Sequence, residues 1–328
     1  MIDKLIGDRG GLHGRISRSI YLAPFCLREV EEFLNEVKSM SYSHEQVLDT
    51  YMIFGGIPYY LDMLDKSLPF AANVDNLLFA QNAPLKTEYE FLFRSLFKDS
   101  ANYRKVIEAL AGKLSGLTRE DISQLTKLTG GELSKILKNL SSCDFIRGYS
   151  NGGRKERQRI YQLTDMYSLF YLRFVRGNDG VDSRFWTNAS HSGSVKAWIG
   201  YAFEQVCLHH LEQIKHGLGI SGVASNSYAW SCKAFTDRDG NEWRGGQIDL
   251  VIDRDDKVIN LCEMKFSQDE YVLSKDYADT VRSRASLFRK VTGTKKSLRN
   301  TFITLYGVKH NKHSGIVDSE LTLGDLFG

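Results

Sequence analysis

The sequence has no run of about 18 apolar residues that could span a bilayer, and its opening stretch, MIDKLIGDRGGLHGR, has no apolar segment of the secretory kind. The expectation is a soluble, cytoplasmic chain with no membrane partner. Cysteine is scarce and scattered. Cys26, Cys143, Cys207, Cys232 and Cys262 are odd in number and never form a CxxC pair, which argues against a disulfide framework and a zinc site. They read as thiols in a reducing compartment. Net charge is almost absent too: 43 Lys and Arg against 40 Asp and Glu leave +3, too little for a global field to identify a partner. Nucleic-acid binding must therefore be argued locally. Finally, GxxxxGK[ST] occurs nowhere, and no strand ending in an acidic pair precedes the first helices. Without a phosphate cradle the chain is not expected to use ATP as a cofactor or to hydrolyse it alone.

What is present is enough apolar sequence, 42% of 328 residues, to bury more than one core, so two or three domains are expected. Leu27, Val30, Phe33, Leu34 and Val37 fall at helical spacing, and a second amphipathic helix runs from about His44 into Gly55-Gly56. Pro58 suits the first turn of a third helix.

Residues from Ala101 to about Arg176 read as a winged helix-turn-helix. Ile122, Leu125 and Leu128 share one helix face, Thr129-Gly130-Gly131 is the turn, and Leu133, Ile136, Leu137 and Leu140 line the next helix. Strands Phe145 to Tyr149 and Arg159 to Leu163 flank an Asn151-Gly152-Gly153 tip, whose residues suit a tight hairpin. Arg147, Arg154, Lys155, Arg157 and Arg159 charge this wing enough to meet a phosphate backbone, and Lys135, Lys138 and Asn139 on the second helix are a modest set for reading bases. A solvated hairpin packed on a neighbouring domain is the competing reading. Tyr161 to Val175 is aromatic-rich at helical spacing, a core or interdomain helix, and the polar stretch from Gly177 to Gly193 reads as a linker.

The chemistry is concentrated in GQIDLVIDRDDKVINLCEMKF. A helix near Ser194 to Gln213 precedes it, with strands at Tyr228 to Thr236, Gly246 to Asp253 and Val258 to Phe266. A helix from Ser274 to Val291, a strand at Asn300 to Gly307 and a short strand near Val317 follow. Asp249 stands in one strand and Glu263 in the next, so both carboxylates are expected to converge; Glu263 and Lys265, two apart, share a face, with Met264 on the other. Burying three ionisable groups among apolar strand residues is costly unless a metal and a substrate compensate. Carboxylates of this kind suit a hard ion, Mg2+ or Mn2+, and Lys265 is placed to hold a water or neutralise charge on a phosphate. A buried salt-bridge cluster without activity is the bland alternative. Gln247, on the same face as Asp249, could orient water or substrate. His209-His210 and His310 and His313 lack metal geometry, and Lys295, Lys296 and Arg299 read as a solvated run.

The D…ExK pattern in the order αβββαβ resembles the PD-(D/E)XK nucleases of restriction-endonuclease-like fold, with Asp249, Glu263 and Lys265 as the catalytic core. That resemblance makes Glu204, on the preceding helix, an additional metal ligand beside Asp249 and Glu263. GLHGRISRSIYLAPFCLREVEEFL with YMIFGGIPYYLDML is similar to the helical lid of an archaeal and bacterial AAA-type ATPase family, over roughly residues 7 to 66. KFSQDEYVLSKDYADTVRSRASLF and LTLGDLFG resemble the carboxy-terminal domain fused to those ATPases, so the likeness covers nearly the whole chain apart from the missing nucleotide-binding core. It implies an α+β multidomain protein: lid remnant 1–66, helical connector 67–100, winged helix 101–176, linker 177–192 and nuclease-like domain 193–328. The implied function is DNA binding with metal-dependent phosphodiester hydrolysis. The alternative is an inactive regulatory or interaction part of an ATP-binding protein, with a homodimer or a partner protein left open.

Overall fold

The computed structural model describes residues 18, 20–149, 159–178, 181–189 and 192–328, and has α+β architecture. Helix α1 (Leu27–Glu32) widens into a π turn over Phe33–Val37, and α2 (His44–Phe54) follows. Ser43 caps α2 by accepting from Gln46 N, and Gln46 returns the bond to Ser43 N, so two orphan amides are satisfied reciprocally. Gly55 ends the helix at φ +65°, and a Cβ on Gly56 would lie 1.9 Å from the Phe25 carbonyl. The backbone of residue 25 crosses there and donates to Gly56 O at 2.8 Å, so only glycine fits. Pro58 opens α3 (Pro58–Asp62) as expected.

Then come α4 (Phe70–Val74), α5 (Glu88–Leu96) and α6 (Ser100–Ala111). The next unit runs β1 (Leu117–Thr118), α7 (Arg119–Thr126), α8 (Gly130–Ser142), β2 (Ile146–Tyr149) and β3 (Ile160–Leu163). Its sheet has the order β1-β3-β2, all antiparallel. Helix α7 starts only at Arg119, because Leu117 and Thr118 pair with Tyr161 and Ile160 and Thr118 caps α7 with Asp121. Tyr161 to Leu163 belongs to the strand expected at Arg159 to Leu163, and the aromatic-rich helix begins only after it. Asp165 accepts from Ser168 N and starts α9 (Met166–Phe170), which continues as a π turn over Tyr171–Val175.

The expected linker is more firmly held than its polarity suggests. It contains α10 (Phe185–Ala189), whose Trp186 is buried edge-on against Phe170, Phe174 and Trp198. Buried Asp75 accepts from Trp186 N (2.8 Å), Thr187 N (3.1 Å) and Thr187 Oγ1 (2.5 Å), anchoring α10 to the turn after α4.

The last part contains α11 (Gly193–His209), α12 (Leu211–Gly217), β4 (Ser225–Cys232), the hairpin of β5 (Phe235–Thr236) and β6 (Glu242–Trp243), β7 (Gly246–Arg254) and β8 (Val258–Lys265). Helix α13 (Lys275–Thr292), β9 (Ser297–Thr304) and β10 (Ser319–Leu321) complete it. The mixed sheet has the order β10-β9-β8-β7-β4; β4, β7 and β8 form an antiparallel meander, and β9 is parallel to both β8 and β10. One face, with Leu250, Ile252, Cys262 and Met264, packs with α11 in a core continuous with the amino-terminal helices and the three-stranded unit. The other face, with Ile248, Val251, Ile259 and Leu261, packs on Leu287 and Phe288 of α13.

His210, fully buried at the α11–α12 break, ties this half to the first helix. Its Nε2 accepts from Leu27 N at 2.8 Å, so Nδ1 carries the proton and donates to Val206 O at 2.7 Å. Burial lowers its pKa to about 4 and keeps the ring neutral. Among the described residues no helix is long and apolar enough to cross a membrane.

Candidate active site

Strand β8 alternates as its sequence implies. Met264 joins the core on the α11 side, while Glu263, only 7% exposed, turns to α13. There Arg284 Nη1 donates to its Oε1 at 2.5 Å, Tyr277 OH donates to its Oε2, and Lys265 Nζ lies 3.8 Å from the same Oε2. Tyr277 and Arg284 are seven apart on α13 and so share a helix face. Lys265 and Arg284 both stand over the Tyr277 ring, 5.2 and 5.8 Å from its centroid. Glu263 is therefore neutralised on its own side of the sheet.

Asp249 is placed differently. The register runs Tyr228↔Val251 and then Trp230↔Ile248, so Ala229 of β4 faces two residues of β7, Asp249 and Leu250. This bulge breaks the alternation. Ile248 and Val251 face α13, whereas Leu250 packs with the α11 core and Asp249 lines a pocket with Glu204 and Gln205 of α11. Asp249 thus shares its pocket with Glu204 on the α11 side, while the hydrogen bonds of Glu263 go to α13, and both Asp249 and Glu263 act on the Glu204 charge. Gln247, expected to orient water or substrate, instead donates from Nε2 to Asp249 Oδ1 at 2.7 Å.

Glu204 senses all the other groups. Its pKa is pushed up to about 7, first by burial and then by the negative charge of Asp249; Lys265 opposes the rise and Glu263 adds to it. The four expected residues thus lie within electrostatic reach of Glu204, but in two sets. Among the described residues no group of three or more His, Cys, Asp or Glu side chains is arranged to hold a metal ion.

The proposed nucleic-acid contacts divide similarly. Arg154, Lys155 and Arg157 lie outside the described residues. Lys135 and Lys138 are exposed on α8, but Asn139 is engaged by Tyr103 OH at 2.6 Å. Arg159 is exposed and donates back to Gly148 O at 3.1 Å. Arg147 is no outer wing residue: its guanidinium bonds Gln162 Oε1 (3.0 Å) and Leu208 O (3.4 Å) and lines the pocket of Glu204 and Asp249. Sequence reasoning missed that turn, and it missed Tyr277, Arg284 and Gln205. The i, i+7 spacing on α13 was the available signal for Tyr277 and Arg284.

Comparison with known proteins gives one distant relative, an uncharacterized protein of Methanocaldococcus jannaschii, MJECL04. It is 23% identical over 288 residues, covering 86% of this chain, and the match spans 61% of the relative's own length. No protein-family model matches the chain, and no solved structure does.

Proposed function

We propose that the five-stranded half is a nuclease-like domain of the PD-(D/E)XK class acting on phosphodiester bonds of DNA, with Glu204, Asp249, Glu263 and Lys265 as its working residues. The observation that carries this reading is the meeting of Glu204 and Asp249 in one pocket at the β7 bulge, with Glu263 and Lys265 near enough to shift Glu204. Packing alone has no use for two half-buried carboxylates that repel each other. The order helix, three antiparallel strands, helix, parallel strand is the one that the restriction-endonuclease-like fold requires.

Glu204 and Asp249 present an all-oxygen donor pair in one pocket, which fits Mg2+ or Mn2+ held by these two carboxylates, with Arg147 lining the same pocket. When bound, such an ion supplies phosphate polarisation and a lowered water pKa. The chain's own residues do the rest. Gln247 fixes the orientation of Asp249. Lys265, half-buried and 3.8 Å from Glu263 Oε2, would meet negative charge developing on the phosphate. The exposed Lys135 and Lys138 of α8 and Arg159 at the wing offer phosphate contacts along the same chain. Derivation from an AAA-type ATPase–nuclease fusion, as partner or parent, belongs to the same proposal and rests on the amino-terminal likeness.

A second reading is favoured by one feature: both oxygens of Glu263 are already engaged by Arg284 and Tyr277. In it the domain is an inactive interaction module with the carboxylate as a structural ion pair. Cleavage of plasmid, single-stranded and branched DNA with Mg2+ or Mn2+, alongside Lys265→Ala and Asp249→Asn, separates the two. Metal-dependent cutting lost in both variants supports the nuclease; an inert wild type that still binds DNA supports the module.

A further inference from the structure

Glu204 and Asp249 form one wall of a cavity of about 220 Å³. The facing wall comes from the three-stranded unit, from Arg147 and Tyr149 on β2 and Gln162 on β3. Arg147 is half-buried, which pushes its pKa down, and its hydrogen bonds go to two neutral acceptors, Gln162 and Leu208 O. Among the described residues no carboxylate pairs with it. A desolvated guanidinium without an acid is costly by itself and is an anion receptor by chemistry. Tyr149, whose hydroxyl donates to Ser115 O at 3.2 Å, also lines the cavity. On the acid wall, Gln205 Oε1 and Ser227 Oγ are buried with no hydrogen-bond partner in the protein, and Gln205 is only 1% exposed. Unpaired buried acceptors and donors that line a cavity call for a polar occupant. The volume is below the roughly 300–1,000 Å³ of ordinary small-molecule sites. It is too small for a base pair with both its backbones, so no more than one nucleotide unit can reach in at a time.

Resting on the nuclease reading, we propose that this cavity takes one unpaired nucleotide, with its phosphate on Arg147 and its base on the Tyr149 ring. The chain then acts on single-stranded segments or frayed ends rather than on intact duplex. Base–aromatic stacking and an arginine–phosphate contact are the two interactions that such a substrate requires. The winged-helix sheet thereby supplies substrate-binding residues to the other half's acids.

The test is fluorescence anisotropy with the full chain in EDTA, using a labelled oligothymidylate and a duplex of equal length. Binding tighter to the single strand, weakened about tenfold by Arg147→Ala and partly recovered by Arg147→Lys, is the expected result. Loss of one phosphate contact also flattens the dependence of log K on log salt by about 0.7, which a merely structural role would not do. Equal affinity for duplex and single strand, or an Arg147→Ala chain that binds as wild type, overturns the proposal. Tyr149→Leu provides a second variant with the guanidinium intact, and unchanged affinity there overturns the stacking role. Because no metal is present, single-strand binding with these effects stands even if the wild type proves unable to cut. Cutting that is indifferent to Arg147 would remove the cavity's role and leave the nuclease reading in place.

Discussion

Two carboxylates in adjacent strands meet opposite fates. Glu263 turns to α13, where Arg284, Lys265 and Tyr277 surround it with positive charge and a hydroxyl donor. Asp249 is carried by the β7 bulge to the α11 side, where its acid neighbour is Glu204 and its hydrogen-bond partner is the neutral Gln247. A third buried acid, Asp75, is held with no cation at all, by two amides and a hydroxyl at the start of α10. Glu263 and Asp75 have partners for both carboxylate oxygens within the protein, whereas Glu204 and Asp249 repel each other, with Gln247 on one Asp249 oxygen and Lys265 only partly offsetting the charge at Glu204.

The largest expected effect comes from breaking the satisfied pair. Glu263→Ala leaves Arg284 half-buried without its carboxylate and should lower stability by about 2–4 kcal/mol, read as a drop in the urea midpoint at unchanged m. Removal of Asp75 orphans two amides and a hydroxyl and should cost about 1–3 kcal/mol by the same measurement. A loss below about 0.5 kcal/mol in either variant would show that the acid's hydrogen bonds contribute little to the fold.

On the other wall the sign reverses. The folded-state pKa of Glu204, about 7, lies above its ordinary value of 4.5, so the folded chain binds more protons than the unfolded chain between those values. The penalty appears as pH rises through 4.5 and is complete above 7. Glu204→Gln should therefore raise stability at pH 8 by about 1–3 kcal/mol and change little near pH 4, seen as a melting temperature that rises only in the alkaline series. A variant less stable than wild type at pH 8 would contradict the comparison. The smallest effect belongs to Asp249→Asn, which removes the second cause of the shift. The Glu204 titration should then move back toward the ordinary carboxylate range, while burial keeps it above that range.

Much of this was legible from residue order. Helix α2 between Ser43 and Gly55, Pro58 at the head of α3, the α8 face of Leu133, Ile136, Leu137 and Leu140, and the sharing of one face by Glu263 and Lys265 all follow from local spacing and capping. What escaped was set by partners distant in sequence. The bulge opposite Ala229 arises from pairing between β4 and β7, and it reverses the face that strict alternation assigns to Asp249. Arg147 looks like one more charge on a basic hairpin, and only the packing of α11 against β2 turns it inward. Trp186 stands in a polar stretch that resembles a linker, but its ring and the Asp75 carboxylate hold that stretch in place.

The most direct measurement is the titration of the Glu204 carboxyl by carbon NMR, with and without Mg2+. The account predicts a midpoint near 7 in the metal-free chain, falling when magnesium is added because a bound cation favours the ionised form. A midpoint near the ordinary carboxylate value, unmoved by magnesium, would contradict the claim that the Glu204–Asp249 wall is a cation-binding site.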